Sequence, residues 1–183
     1  MDTWPAAIIT HEEIQMELLT AIATRTSAAR LSEPGVSPEH LARILEAAER
    51  APDHGRLKPW RFLVLGKGSR DAFAHAAAEA KHLRLPHLSA EQLAAERDKI
   101  ERSPTLIVAG CAVRLNHPKV PEIEQIIAAG AAVENLILAA HDLGYGAMWK
   151  TGAAAYDPGV KAAVGLQAHD HIVAILHLGT RVE

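Results

Sequence analysis

The stretch EIEQIIAAGAAVENLILAAHDL, residues 122–143, constrains this chain more than any other. At 3.6 residues per turn its apolar side chains nearly encircle a helix, interrupted chiefly by Glu124, Gln125, Glu134 and Asn135. A helix apolar on most sides is buried on most sides, so the rest of the chain has to supply the layers that cover it. Ala129, Gly130, Ala131 and Ala132 carry so little bulk that another backbone can approach closely. That places the helix in the middle of the fold or of a dimer. Gly144 follows as its left-handed C-terminal cap.

The other periodicities supply the layers. THEE at residues 10–13 reads as a capping box for a helix running to about Thr24, and Ser37 with Pro38 opens a second that Pro52 must end. Ser69 is expected to cap a helix through about His82, and SAEQ from Ser89 to box-cap another through about Arg102, with LRLPHL between them as a loop. Strands are expected at residues 62–65, at TLIVAGCAV from Thr105, at YGAMWK over 145–150, and at HIVAILHLG from His171. The run from Thr105 is continuous and β-branched, which suits a strand covered on both faces. A short helix over residues 157–164 closes at Gly165. The sum is a single domain over residues 1–183, an α+β or α/β sandwich with helices on both faces of a small sheet. Residues 1–13 form an N-terminal extension, of which MDTWPAAII has no place in that pattern.

Charge and composition narrow the function. The formal net charge of −3 argues against a nucleic-acid partner, which usually needs a basic stripe to displace counterions from phosphates. The single cysteine, Cys111, lies in an apolar strand without a base beside it, so it reads as structural, and a reducing, cytoplasmic location is expected. The N-terminus lacks a basic start followed by an apolar core, and no later run is expected to span a membrane. Eleven histidines invite a metal, but no HExxH spacing is present and His82 and His87 are five apart, off one helical face. No metal is expected. GxSxG, P-loop and GxGxxG patterns are all absent.

Two basic stretches remain. In ATRTSAARLSEP, Arg25, Thr26, Ser27 and Arg30 come as the first helix ends. Forked guanidinium donors with neighbouring hydroxyls can complete a phosphate site, or Arg25 can simply meet its helix's last carbonyls. In ERAPDHGRLKPW, Arg50, His54 and Lys58 surround two prolines and lead to Trp60. This is either a solvated connection or a rigid rim.

RTSAARLSEP, APDHGRLKPWRFLVL, AAHDLGYGAMWKTG and IVAILHLGT, in that order over nearly the whole chain, resemble the flavin-dependent nitroreductase family, in particular its minimal NAD(P)H nitroreductase branch. The resemblance implies a three-layer α-β-α sandwich around a small mixed or antiparallel sheet with the Ala-rich helix at its centre. It also implies a homodimer that binds FMN at the subunit interface. Arg25, Thr26 and Ser27 stand where the family holds the FMN phosphate and ribityl chain, with Arg30 nearby. Arg50 and His54 match positions that approach the flavin held mainly by the partner subunit. Trp149, Lys150 and Thr151 match the turn that lines the isoalloxazine or its ribityl chain. Residues 139–144, including Ala139 and Gly144, match a stretch associated with the nicotinamide nucleotide. Lys58 stands where members often carry Gln, and Arg181 is the candidate for a basic tail that helps hold the phosphate.

The activity implied is reduction of nitroaromatic, quinone or related small-molecule acceptors by NADH or NADPH through a ping-pong mechanism, with the hydride carried by the flavin rather than by a catalytic side chain. Alternatives on the same scaffold are enone reduction, dehalogenation, or flavin binding without turnover.

Overall fold

The structure, a computed structural model, describes residues 16–182. The THEE capping box therefore lies outside the described residues. Six helices run α1 Leu18–Thr24, α2 Pro38–Ala48, α3 Lys67–Arg84, α4 Ala90–Glu101, α5 Glu122–Asp142 and α6 Pro158–Ala163. Five strands run β1 Leu31–Ser32, β2 Trp60–Val64, β3 Thr105–Cys111, β4 Gly146–Lys150 and β5 His171–Arg181. Single 3-10 turns at His54–Arg56 and Ala153–Tyr156 complete the described elements.

Every strand pairing is antiparallel, and β5 is the hub, pairing with β1, β3 and β4, while β2 pairs with β3. Alternation along β3 and β5 sends Ile107, Ala109, Ala174, Leu176 and Leu178 to one face, where they pack with α2 and α5. Leu106, Val108, Ile172 and Ile175 face the other, with α3, α4 and α6. Ile172 and Ile175 share a face despite odd spacing because the register shifts by one residue beside Ala109 and Gly110, a bulge that turns β5 over. The result is the three-layer α-β-α sandwich, an α+β fold.

All seven residues of β3 are buried, as a strand covered on both faces requires. Helix α5 buries Ala128, Ala132, Val133, Leu136, Ile137 and Ala140, each large aliphatic among them worth about 1.5–3 kcal/mol relative to exposure. Its one buried polar side chain, Gln125, is paired: Oε1 accepts from Arg114 N at 2.8 Å and Nε2 donates to the Arg114 and Val120 carbonyls. By length and composition alone this helix is long and apolar enough to cross a membrane, whereas no run was expected to be. Its packing on α2 and the sheet accounts for the apolarity instead.

Several boundaries differ from expectation for local reasons. Helix α3 starts at Lys67 behind an extended Gly66, so Ser69 lies in the first turn and donates back to the Gly66 carbonyl rather than capping. α3 also continues through Arg84 and takes in the first two residues of LRLPHL. β5 runs on to Arg181, where it gains β1 as partner, and β4 starts at Gly146, one residue beyond Tyr145. Tyr145 is held by its hydroxyl, which accepts from Ser37 N at 3.3 Å and lies 2.9 Å from His40 Nδ1.

Candidate functional site

The segment after α1 is laid against the sheet and shapes the site. Ala28 N donates to the Ala147 carbonyl at 2.9 Å, and Leu31 and Ser32 pair with Arg181 and Thr180. Val182 N donates to the Arg30 carbonyl at 3.3 Å, and Arg181 Nη2 donates to Thr26 Oγ1 at 2.6 Å. This close approach depends on two glycines facing each other in register, Gly146 and Gly179. A Cβ on Gly146 would sit 2.7 Å from Leu31 Cδ2 and 2.9 Å from Ala28 Cβ; one on Gly179 would sit 3.0 Å from the Ser32 carbonyl oxygen.

Between this segment, β4, the end of β5 and the C-terminal end of α4 lies a cleft of about 440 Å³. Its polar side chains among the described residues are Arg30, Lys99, Arg102, Ser103, Lys150 and His177, and no described carboxylate lines it. Lys99 Nζ pairs with Glu96 Oε2 at 2.8 Å outside the cleft lining, and Arg102 Nε donates to the Asp98 carbonyl at 3.1 Å. Arg30 and Lys150 make no side-chain hydrogen bond or ion pair with any described residue. His177 is 8% exposed, and burial, followed by the Lys150 and Arg70 cations, pushes its pKa down to about 4. The imidazole is therefore neutral at pH 7. Four cations, of which only Lys99 is paired with a carboxylate among the described residues, suit an anionic ligand.

The family-matched residues divide into separate places. Arg30 and Lys150 share the cleft, with Thr26 and Arg181 joined beside it. Ser27 is exposed next to Thr26, and Thr151 follows Lys150 half-buried. Trp149, adjacent to Lys150 on a strand, turns to the opposite side, 38% exposed, and its Nε1 donates to the Val173 carbonyl at 3.1 Å. Arg25 is the C-cap residue of α1, its N–H donating to the Ala21 carbonyl at 3.0 Å, while its side chain leaves the helix end and its Nε lies 3.9 Å from Glu134 Oε1 on α5.

Arg50 and Ala139 belong to a different concavity, a groove of about 580 Å³ between α1, α2 and α5. His54 Nδ1 lies 2.5 Å from Glu124 Oε2, tying its loop to the start of α5. Lys58 Nζ donates to Glu49 Oε2 at 3.1 Å and its N–H to Asp53 Oδ2 at 2.6 Å. Gly144 closes α5 at φ 83°. The loop around His54 is therefore a built rim: Gly55, Arg56 and Lys58 all have positive φ, while Pro59 and Trp60 are buried beneath.

Sequence reasoning missed Lys99, Arg102, Ser103 and His177. A lone histidine in the apolar run IVAILHLG is the signal that was present, since a polar residue on a buried strand calls for a reason. HDH at residues 169–171 is structural: Asp170 accepts from Val113 N at 2.9 Å and Gln167 N at 2.7 Å, while His171 Nε2 lies 2.7 Å from Glu122 Oε1.

The fold is that of solved nitroreductase structures. A nitroreductase-like family protein from Bacillus cereus superimposes with a TM-score of 0.77 at 25% identity, covering 92% of this chain and 87% of that one. A nitroreductase with bound FMN from Bacteroides fragilis gives 0.68 at 22% identity, covering 91% and 89%. In sequence, the family model described as Nitroreductase family matches residues 22–180. The Escherichia coli (strain K12) protein named "Putative NAD(P)H nitroreductase YdjA" is 36% identical over 165 residues, 90% of this chain and 88% of that protein. A Haemophilus influenzae protein named in the same terms is 33% identical over 168 residues, 92% and 90% of the two chains. The chain belongs to the nitroreductase family and is an oxidoreductase.

Proposed function

We propose that this protein is an FMN-dependent oxidoreductase that takes electrons from NADH or NADPH and passes them to nitroaromatic, quinone or related acceptors. The observation that carries the reading is the cleft lined by the cations Arg30, Lys99, Arg102 and Lys150 and by no described carboxylate. FMN brings a phosphate dianion and, when bound, supplies the hydride chemistry. The names of relatives agree: NAD(P)H nitroreductase for the Escherichia coli protein, and bound FMN in the Bacteroides fragilis structure. Arg25, Thr26, Ser27, Arg30 and Arg181 would hold the phosphate and ribityl chain. Lys150 would place a positive charge beside the isoalloxazine and stabilise negative charge that builds there on reduction. Donor and acceptor would use the same open face in turn, which is the ping-pong order.

The same reading makes the protein a homodimer. Arg50 lines a groove separate from the cleft within one chain, so a site using both residue sets requires the partner's Arg50 and His54. Leu18, Leu19 and Ile22 of α1 and Ile123 and Ile127 in the first turns of α5 are 53–78% exposed, apolar side chains suited to meeting a second copy. Cys111, fully buried with its thiol pushed up to about 12 by burial and nearby carboxylates, plays no part and fits a cytoplasmic protein.

The test is spectroscopic. The purified protein is expected to be yellow or to take up added FMN, to bleach anaerobically with NADH or NADPH, and to regain colour with a nitroaromatic or quinone. A colourless protein that takes up no FMN refutes the reading, and sedimentation of a folded, flavin-loaded monomer refutes the interfacial site.

A further inference from the structure

The cleft holds one group that the flavin reading has not used. His177 lines its floor, 8% exposed, and neither ring nitrogen bonds to a described residue. The four cationic side chains around it, Arg30, Lys99, Arg102 and Lys150, only donate hydrogen bonds. A neutral imidazole, whichever tautomer it takes, keeps one lone pair free to accept. Burial and the Lys150 and Arg70 charges hold it neutral. The Ser103 hydroxyl, the other uncharged polar side chain there, gives its proton to the Thr105 carbonyl at 2.7 Å, so toward a ligand its oxygen only accepts. The cleft thus offers many donors against two side-chain acceptors, the Ser103 oxygen and the His177 imidazole, of which only the imidazole has no partner among the described residues. The complementary ligand edge presents carbonyls or negative charge together with one N–H. The flavin pyrimidine ring has that edge, with carbonyls at C2 and C4 flanking N3–H.

We infer that His177 is a positioning residue that accepts a hydrogen bond from the flavin N3–H and so fixes the pyrimidine edge against the cationic side of the cleft. The inference rests on the FMN reading and adds a role for a residue on β5. Arg30 and Lys150 then serve the carbonyl and phosphate oxygens, and the imidazole satisfies the one polar hydrogen that cations would repel.

The experiment compares FMN with 3-methyl-FMN, which lacks the N3 hydrogen, by quenching of flavin fluorescence on titration with apoprotein. The unaltered protein is expected to bind FMN roughly three- to tenfold tighter than the analogue, as loss of one neutral hydrogen bond implies. His177→Leu is expected to bind both alike, and His177→Gln, which retains an acceptor, to restore the preference. Equal binding of both flavins by the unaltered protein, whose folding no substitution has touched, would overturn the inference while leaving the FMN reading intact. So would a preference that persists in His177→Leu, or one lost in Ser103→Ala instead. Failure to bind either flavin would remove the FMN reading itself, and this inference with it.

Discussion

Gly146→Ala tests how the site is built. In register opposite Gly179, Gly146 leaves room for the segment that carries Thr26 to Arg30. An added Cβ would lie 2.7 Å from Leu31 Cδ2, 2.9 Å from Ala28 Cβ and 3.3 Å from Arg181 Cβ. The Leu31 contact involves the end of a flexible side chain and is relieved by a rotamer change. The Ala28 contact is one bond from main chain that is itself pinned, since Ala28 N donates to the Ala147 carbonyl next door at 2.9 Å. Relief therefore requires the segment to move off the sheet by several tenths of an ångström. Overpacking of this kind costs about 1–3 kcal/mol. At about 3 °C per kcal/mol for a chain of this length, the melting temperature falls by about 3–9 °C. Because Arg30 moves with the segment, FMN affinity should fall by roughly tenfold or more, the value of one charge-assisted hydrogen bond. Gly68→Ala in the first turn of α3, where the new Cβ meets nothing within 4 Å, is the control and should gain up to about 1 kcal/mol. Thermal melts and flavin titrations of the two variants decide the matter. A Gly146→Ala protein with unchanged melting temperature and unchanged FMN affinity would show that the segment does not depend on this packing.

Arg25→Ala should weaken FMN binding by about 1.5–3 kcal/mol if the guanidinium leaves Glu134 for the phosphate; unchanged affinity in a titration would assign Arg25 to the α1–α5 contact alone. Asp170→Ala strands the buried N–H of Val113 and releases that of exposed Gln167, and should cost about 1–3 kcal/mol in urea unfolding, with no change in FMN affinity per folded molecule. His177 is depressed to about 4 in the folded state against 6.5 in the unfolded chain, so below pH 6.5 the unfolded chain binds the extra proton and stability is lost as pH falls toward 4. Apoprotein should lose about 2 kcal/mol between pH 7 and pH 5 from this group, and His177→Gln should lose that much less over the same interval; parallel pH profiles for the two would contradict the buried neutral imidazole.

How much was legible in the sequence depended on whether a residue's role was local. The α5 stripe, the Ser37 and Ser89 caps and the buried β3 run each carry their signal within a few residues, and each is found as read. Strand β1 is two residues long and has no period; it exists because β5 continues to Arg181 and offers a partner. The bulge at Val173 is set by pairing with β3, which no local pattern reports. Lys99 and Arg102 looked like ordinary C-terminal cations of α4. They become cleft residues only because the segment after α1 is brought opposite them by the Gly146–Gly179 pair.

The same distinction explains the division of the family-matched residues. Arg30 and Lys150 were separated by most of the chain and meet in one cleft. Arg50 and His54 were joined to them only by resemblance, and within one chain they go elsewhere: Arg50 to the groove along α5, His54 to Glu124 at that helix's first turn. A loop stiffened by Pro52, Pro59 and three positive-φ residues, with Trp60 buried beneath, is costly to build for a solvated connection. It is well suited to presenting side chains outward at fixed positions beside the apolar faces of α1 and α5. Helix α5 leaves Ile123 and Ile127 uncovered at its first turns beside this rim, and the proposed second protomer would cover them. A single pair of variants separates the two contributions: Arg30→Ala should weaken FMN binding whatever the assembly state, whereas Arg50→Ala should do so only where the protein sediments as a dimer. Equal losses from both in a monomeric preparation would place all of these residues in one protomer's site and refute the two-chain arrangement.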